Sequence, residues 1–293
     1  MSRALALVVN PAAAGGKVAR SLAEAIATLD AIGADYRVTE TRDLEHACEL
    51  AAEASERGEA VVAVGGDGLV GCLAGALRNA PVPLGIVPGG RGNDFARVLG
   101  IPKAVPDAIR IVLDGQERLL DVANADGQPF VGIASLGFDS DANRIANETR
   151  FIKGNLVYVV AALRALAAWK HATFRVTVDG EEHTVRGYSV AVGNSKAYGG
   201  GMFLIPHASL DDGRLDVFLS TEASKLSFLK GVPKVFKGTH VDTPSVRFLA
   251  GEVVEVDADR PFTVYADGDP IGELPITVRV TPRCLRVLVP SAG

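Results

Sequence analysis

Short apolar runs alternate with helical periodicities over roughly the first 114 residues. Strands are predicted at Leu5–Val9, Tyr36–Thr41, Ala60–Val64 and Leu84–Val87. Between the first two, Leu22, Ile26, Leu29 and Ile32 recur at helical spacing; between the next two, Leu44, Ala47, Cys48 and Ala51 do so before Gly58 ends the helix. This alternation implies a parallel sheet with crossover helices. From about residue 117 the pattern changes to β runs separated by Asp126-Gly127, Asp179-Gly180, Asp212-Gly213 and Asp267-Gly268, dipeptides that signal hairpins. Helices are predicted at about 155–169 and 222–237. The expected architecture is an α/β N-terminal domain, residues 1–115, with an open, mostly parallel sheet and helices on both faces. It is followed by a β-rich, sandwich-like domain, residues 116–293, with few helices. The strands from about 275 are free to return to the first domain.

Composition narrows the function classes. The chain has 293 residues, 48% of them hydrophobic, and 30 Lys plus Arg against 35 Asp plus Glu, so no overall positive field recruits nucleic acid or anionic lipid by charge alone, and only a local basic patch is left open. Cys48, Cys72 and Cys284 are far apart and form no CxxC pair; they are read as separate buried small residues in a reducing, cytoplasmic setting. The run before Asn10-Pro11 is too short for a secretory signal and reads as a strand. The stretch Leu156 to Trp169 falls short of the roughly 20 residues that span a bilayer and carries Arg164. A protein of this kind that handles lipid visits the membrane from the cytoplasmic side.

The glycine-rich turns carry the chemistry. In residues 61–77, VVAVGGDGLVGCLAGAL, a buried strand runs into Gly65, Gly66, Asp67 and Gly68 and then a helix. Glycines let the backbone approach a phosphate, and the free N–H groups at the helix start attract anions. The run is neither a Walker A loop nor a dinucleotide fingerprint; Asp67 beside phosphates calls for a magnesium ion. A second such turn, Pro88-Gly89-Gly90-Arg91-Gly92-Asn93-Asp94, follows strand four and points to the same crevice at the carboxyl ends of the strands. Asn10 with Gly15-Gly16-Lys17 forms a third. A plain βα turn at GGDG, and helix capping by Thr41 near Asp43 or by Asn93-Asp94, are the alternatives.

VNPAAAGGK (9–17), VVAVGGDG (61–68), GIVPGGRGNDFARVLGIP (85–102), VAVGNSKAYGGGMFLIPHASLDDGRLDV (190–217) and YADGD (265–269) together resemble the successive signatures of the diacylglycerol kinase catalytic family, relatives of the sphingosine and NAD kinases. The resemblance covers nearly the whole chain. It implies ATP between two domains and transfer of its γ-phosphoryl group to a lipid hydroxyl, diacylglycerol giving phosphatidate. It also implies that Asn10, Thr41, Gly65, Gly66, Asp67, Gly68, Arg91, Asn93 and Asp94 bind nucleotide and magnesium, that Asp267 is the general base, and that Asp212 holds a structural Mg2+ with the carbonyls of Ser209 and Arg214. Without the resemblance, Asp267-Gly268 reads as a plain hairpin turn. Asp216 is expected to face solvent or pair locally, and His207 to be a surface or packing residue.

Three departures from the family pattern stand out: Arg91 replaces a threonine, the Glu usual after GGDG is replaced near Cys72, and the Asp-Gly-Glu acid is Asp269. They keep other readings open: a sphingoid base, another lipid alcohol or NAD as acceptor, or a non-catalytic nucleotide or lipid sensor. Leu156, Val159, Val160, Leu163 and Leu166, with the Tyr198–Phe203 loop, are either an acyl pocket or core. Peripheral contact with a membrane surface is expected, and a homodimer is left open.

Overall fold

The computed structural model describes residues 3–11, 13–148 and 163–291. In the first half, β1 (Leu5–Val9), β2 (Tyr36–Glu40), β3 (Ala60–Gly65) and β4 (Leu84–Pro88) lie parallel in the order β2-β1-β3-β4. Their side chains alternate between two cores, as the pleat requires. Leu5, Leu7 and Val9 meet α1 (Lys17–Ala31) and α5 (Val105–Asp114) on one face. Ala6 and Val8 meet α2 (Leu44–Glu56) and α3 (Asp67–Ala76) on the other. The predicted strand limits agree to within a residue: β1, β3 and β4 are apolar on both faces and flanked by glycine or charge, while β2 is a half-exposed edge strand. Between β4 and α5 lies the short α4 (Asp94–Val98).

The second half is antiparallel. It comprises β5 (Gln116–Ala125), β6 (Gln128–Phe130), β7 (Ile133–Gly137), α6 (Phe138–Glu148), β8 (Ala172–Val178), β9 (Glu181–Gly193), β10 (Leu215–Thr221), α7 (Lys225–Phe236), β11 (Val246–Gly251), β12 (Val253–Ala258), β13 (Thr263–Ala266), β14 (Asp269–Glu273) and β15 (Ile276–Val289). Its core gathers Phe130, Phe138, Trp169, Phe174, Tyr188 and Phe262 between strands and helices. Strand β15 joins the halves: it pairs with β12 and β5 and, at Val287, runs parallel to Leu84 of β4. Among the described residues the strands form a single 15-stranded sheet.

Asp126-Gly127, Asp179-Gly180 and Asp267-Gly268 each close a two-residue hairpin with both residues at positive φ, the geometry that selects Asp-Gly. Asp212-Gly213 instead ends a loop that leads into β10. Cys48 and Cys72 are not separate, as expected, but paired as a disulfide across α2 and α3, Cα atoms 6.2 Å apart. Their 24-residue separation hides the fact that both helices pack on one face of the sheet. Of the predicted helix at 155–169, residues 163–168 are helical, with Leu166 buried and Leu163 half exposed; Leu156, Val159 and Val160 lie outside the described residues. Among the described residues no helix is long and apolar enough to cross a membrane.

Candidate active site

The two glycine turns touch backbone to backbone. The Gly89 N–H donates to the Gly65 carbonyl at 2.7 Å, and a Cβ placed on Gly90 would stand 2.5 Å from the Gly66 Cα. Asn93 adopts the left-handed conformation, φ 51°, and closes its own turn: its Oδ1 accepts the Gly90 N–H and its Nδ2 donates to the Gly90 carbonyl, both at 2.9 Å. The Asp67 carboxylate then clamps the turns together. Its Oδ2 accepts the Asn93 N–H and its Oδ1 the Asp94 N–H, each at 2.7 Å, so the first residue of α3 caps the start of α4. Gly92 has to be glycine, because a Cβ there would be 2.6 Å from Asp67 Oδ2. Burial, and then the charge of Asp94, raise the Asp67 carboxyl above the usual range.

Beside these turns lies a cavity of about 450 Å³ lined by Asn10, Ala13, Val18, Leu44, Gly65, Gly66, Asp67, Gly68, Leu69, Gly90 and Arg91, of the size that ligand sites favour. Six residues predicted from sequence, Asn10, Gly65, Gly66, Asp67, Gly68 and Arg91, meet in it. Thr41 does not reach it: its buried hydroxyl is spent on the Asp43 carbonyl, while Asp43 caps α2. Asn93 and Asp94 stand behind the cavity as its frame. A smaller hollow of about 190 Å³ on the second half's sheet, lined by Arg175, Glu182, Glu255 and Asp257 among others, has Arg175 and Asp257 ion-paired and adjoins no glycine turn.

The second half supplies two acids to α3. Asp267, at the tip of the β13–β14 hairpin with φ 51°, has its Oδ2 held by the Val131 N–H at 3.0 Å and the Gly132 N–H at 3.3 Å. The residue keeps a partly exposed rim, but its carboxyl is enclosed by protein. Desolvation is the main reason its pKa is raised to about 6; the two N–H groups oppose that shift and the charge of Asp67 adds to it. A Cβ at Gly71 would lie 3.5 Å from Asp267 Oδ2, and one at Gly68 would lie 3.4 Å from Asp269 Oδ2. One turn further, a Cβ at Gly75 would clash with Pro129 at 2.5 Å. The glycines of GGDGLVGCLAGAL therefore form a stripe along α3 on which the second half sits, beyond the turn read from sequence.

Asp94 extends the contact between halves. Its Oδ2 accepts the Gly200 N–H at 2.7 Å and its Oδ1 pairs with the Arg97 guanidinium, which also donates to the Gly92 carbonyl at 2.8 Å. Gly199, Gly200 and Gly201 all have positive φ in a tight loop closed by reciprocal Tyr198 and Met202 backbone bonds of 3.0 Å. The Tyr198 hydroxyl donates to Asp139 at 3.1 Å. Desolvation raises Asp139 to about 6, against the opposing hydrogen bonds of Tyr198 and Ser189.

Asp212 is exposed, and its Oδ1 accepts the Arg214 N–H at 3.1 Å. Its neighbour Asp211 takes the Arg118 guanidinium at 2.7 Å and the Ser209 hydroxyl at 2.8 Å. Fully buried Asp121 anchors the loop by accepting the Gly213 and Arg283 N–H groups, both at 2.7 Å. Fully buried Asn194 donates to the Asp121 carbonyl at 3.0 Å and the Val131 carbonyl at 3.3 Å, beside the donors to Asp267. No group of three His, Cys, Asp or Glu side chains suited to a metal occurs among the described residues. Asp216 is largely buried and faces His207 at 3.3 Å. Asp121, Asp139, Asn194 and Arg97 escaped the sequence reading. Asp121, an acid set between Leu120 and Val122 in a buried run, carried a signal that was there to read.

A cavity at the carboxyl ends of parallel strands is walled by touching glycine turns, and Asp267 and Asp269 of the second, β-rich half stand against α3, the helix that leads out of that wall. Residues 4–125 match the diacylglycerol kinase catalytic domain, and residues 132–289 match the YegS C-terminal NAD kinase beta sandwich-like domain. The chain belongs to this diacylglycerol kinase family. It is 35% identical over 294 residues to a diacylglycerol kinase of Mycobacterium tuberculosis, covering 98% of this chain and 95% of that one. It is 26% identical to the diacylglycerol kinase of Bacillus subtilis, covering 97% and 96%. A crystal structure of a diacylglycerol kinase from Bacillus anthracis, at 21% identity, superimposes with a TM-score of 0.75 over 99% of this chain and 98% of the other, a likeness of fold.

Proposed function

We propose that the protein transfers the γ-phosphoryl group of ATP to the free hydroxyl of diacylglycerol, giving ADP and phosphatidate. The observation that carries this reading is the placement of Asp267: its carboxylate is fixed by two backbone N–H groups and stands against α3, one turn from the Gly65–Gly68 turn that walls the cavity. The hydroxyl oxygen bonds to phosphorus as the bond from phosphorus to the ADP oxygen breaks, and the hydroxyl proton passes to the Asp267 carboxylate. A base so placed contributes roughly 10²–10⁴ in rate. Its pKa of about 6 leaves it ionised at neutral pH yet more basic than an ordinary aspartate.

Backbone N–H groups of the glycine turns and the exposed Arg91 guanidinium bind the phosphates, and Asn10 borders the same space. Burial first, and the charge of Asp94 second, raise the Asp67 carboxyl, and a divalent cation beside it would relieve that repulsion. Magnesium would supply charge neutralisation on the phosphates there. In the 209–214 loop, Asp212 presents an exposed carboxylate, with the Ser209 and Arg214 carbonyls proposed as further ligands of a structural ion. Thr41 acts indirectly, by fixing the start of α2, from which Leu44 lines the cavity.

The test is to incubate the purified protein with γ-labelled ATP, magnesium and a panel of diacylglycerol, sphingoid bases and NAD. Label in phosphatidate is expected. Label only in another acceptor overturns the substrate, and label in none overturns the kinase reading.

A further inference from the structure

Helix α7 has no fully buried residue. It is held to the body by its underside: the Phe228 ring stacks on Tyr188 with centroids 4.1 Å apart, and the Val235 carbonyl accepts the Phe203 N–H at 3.0 Å. Ser224 caps its start by accepting the Ser227 N–H. The rest of the helix faces outward, and its surface is not that of an ordinary solvated helix. Leu226 is 63% exposed, Leu229 45% and Phe236 50%; with the exposed Pro233 they recur at three- and four-residue steps and so form one stripe. Lys230, Lys234 and Lys237, each exposed, follow the same spacing one residue on and run as a parallel cationic row. From Ala223 to Val241 the sequence holds four lysines and no acid, in a chain of net charge −5.

We infer that α7 is a docking element for an anionic lipid bilayer, lying in the plane of the interface with Leu226, Leu229 and Phe236 among the upper acyl chains and the lysine row against anionic headgroups. A helix with an apolar stripe beside a lysine row, on a molecule that is otherwise acidic, has the charge complementarity of an interfacial helix. A second copy of the chain fits less well. A twofold contact through the stripe sets lysine rows against each other, and one 12-residue helix covers less than the roughly 1,000 Å² of a stable interface.

The position suits a lipid acceptor. Phe203, bonded to Val235, lies three residues beyond Gly200, which donates to Asp94 of the glycine turn, so one loop touches both the docking helix and the frame of the cavity. The inference rests on the lipid kinase reading for its purpose and not for its test.

The measurement is co-sedimentation of the whole protein with phosphatidylglycerol vesicles and with phosphatidylcholine vesicles, over a range of salt. Wild type is expected to partition onto phosphatidylglycerol at least tenfold more strongly, and less so as salt rises. Replacing Lys230, Lys234 and Lys237 together by Glu should weaken that partition by roughly 100-fold. Leu226→Asp with Phe236→Asp should weaken it by about tenfold or more. Because all five side chains are exposed, both variants should melt as wild type does. Equal partition of wild type onto both vesicles, or variants that bind as wild type does, overturns the inference. So does a wild-type dimer that the stripe variant converts to monomer with vesicle binding unchanged. With dihexanoylglycerol dispersed in buffer as acceptor, the charge variant should turn over as wild type does. Wild type that binds vesicles but does not phosphorylate dihexanoylglycerol upholds the docking surface and defeats the kinase proposal.

Discussion

The Asp94 carboxylate of the second glycine turn accepts the Gly200 N–H across the junction of the two halves, at 2.7 Å. The same carboxylate pairs with Arg97, so one side chain fixes the turn on its own side and the 198–202 loop on the other.

Asp94→Ala removes the acceptor from both partners: the part-exposed Arg97 guanidinium keeps only the Gly92 carbonyl, and the Gly200 N–H, in an exposed loop, turns to water, a loss of about 0.5–1.5 kcal/mol per hydrogen bond. The melting temperature should fall, and kcat/KM for lipid phosphorylation should fall at least tenfold, since the cavity frame moves with the turn. Asp94→Asn keeps an acceptor for Gly200 while losing the Arg97 charge pair, and should fall between the two. Equal kcat/KM in Asp94→Ala and wild type would mean that the loop contact does not hold the site.

At Gly90 a Cβ would stand 2.5 Å from the Gly66 Cα and 3.0 Å from Asn93 Oδ1. Gly90→Ala must separate the two turns, at a cost of about 1–3 kcal/mol, and should abolish ATP binding by calorimetry in a protein that still gives a folded circular dichroism spectrum. Gly66→Val acts on the same contact, its Cβ 3.1 Å from the Gly90 Cα. A folded Gly90→Ala variant that binds ATP as wild type does would remove the phosphate-turn assignment.

Strands β1, β3 and β4 were readable because each is a continuous apolar run between polar or glycine-rich breaks, β2 because Tyr36 and Val38 alternate with Arg37 and Thr39, and the hairpins because Asp-Gly at positive φ is nearly self-announcing. The cavity side of the site was readable through glycine, whose spacing records where backbone comes close to backbone. The supporting acids were not. Asp121 and Asp139 act through partners 92 and 59 residues away, Gly213 and Tyr198, and no local pattern encodes such distances. The Cys48–Cys72 pairing was missed for the same reason. Thr41 was ambiguous between ligand and cap, and its hydroxyl is bonded to the Asp43 carbonyl.

The pair Asp139 and Tyr198 gives a pH signature. Because burial raises the Asp139 pKa to about 6, the native state binds more protons than the unfolded chain above the ordinary aspartate range, so stability falls as pH rises through that window. Tyr198→Phe removes a donor to the charged form, raises that pKa further and steepens the fall. Urea midpoints should show the variant close to wild type at pH 5 and destabilised by roughly 1–3 kcal/mol at pH 8. A loss equal at both pH values would assign the effect to packing alone.

Asp267→Asn separates a base from a structural acid, because the two roles move different observables in opposite directions. In wild type the carboxyl pKa of about 6 again means that the folded state holds the proton more tightly than the unfolded chain does. This acid therefore contributes destabilisation that grows between about pH 4 and pH 6 and persists above. Asparagine cannot ionise and its amide oxygen can still accept the Val131 and Gly132 N–H groups. The variant should therefore match wild type near pH 4 and exceed it at pH 7.5 by up to about 3 kcal/mol. Over the same range wild-type kcat/KM should rise with pH through about 6 as the base ionises, and Asp267→Asn should lose roughly 10²-fold or more in kcat with ATP affinity changed only a few-fold. A more stable protein that has lost turnover is what a desolvated base predicts and what a merely structural aspartate does not. A variant that is equally active, with the wild-type pH profile intact, would move the proton acceptor away from Asp267 and leave Asp269, beside Gly68 on the same hairpin, as the next carboxylate to replace.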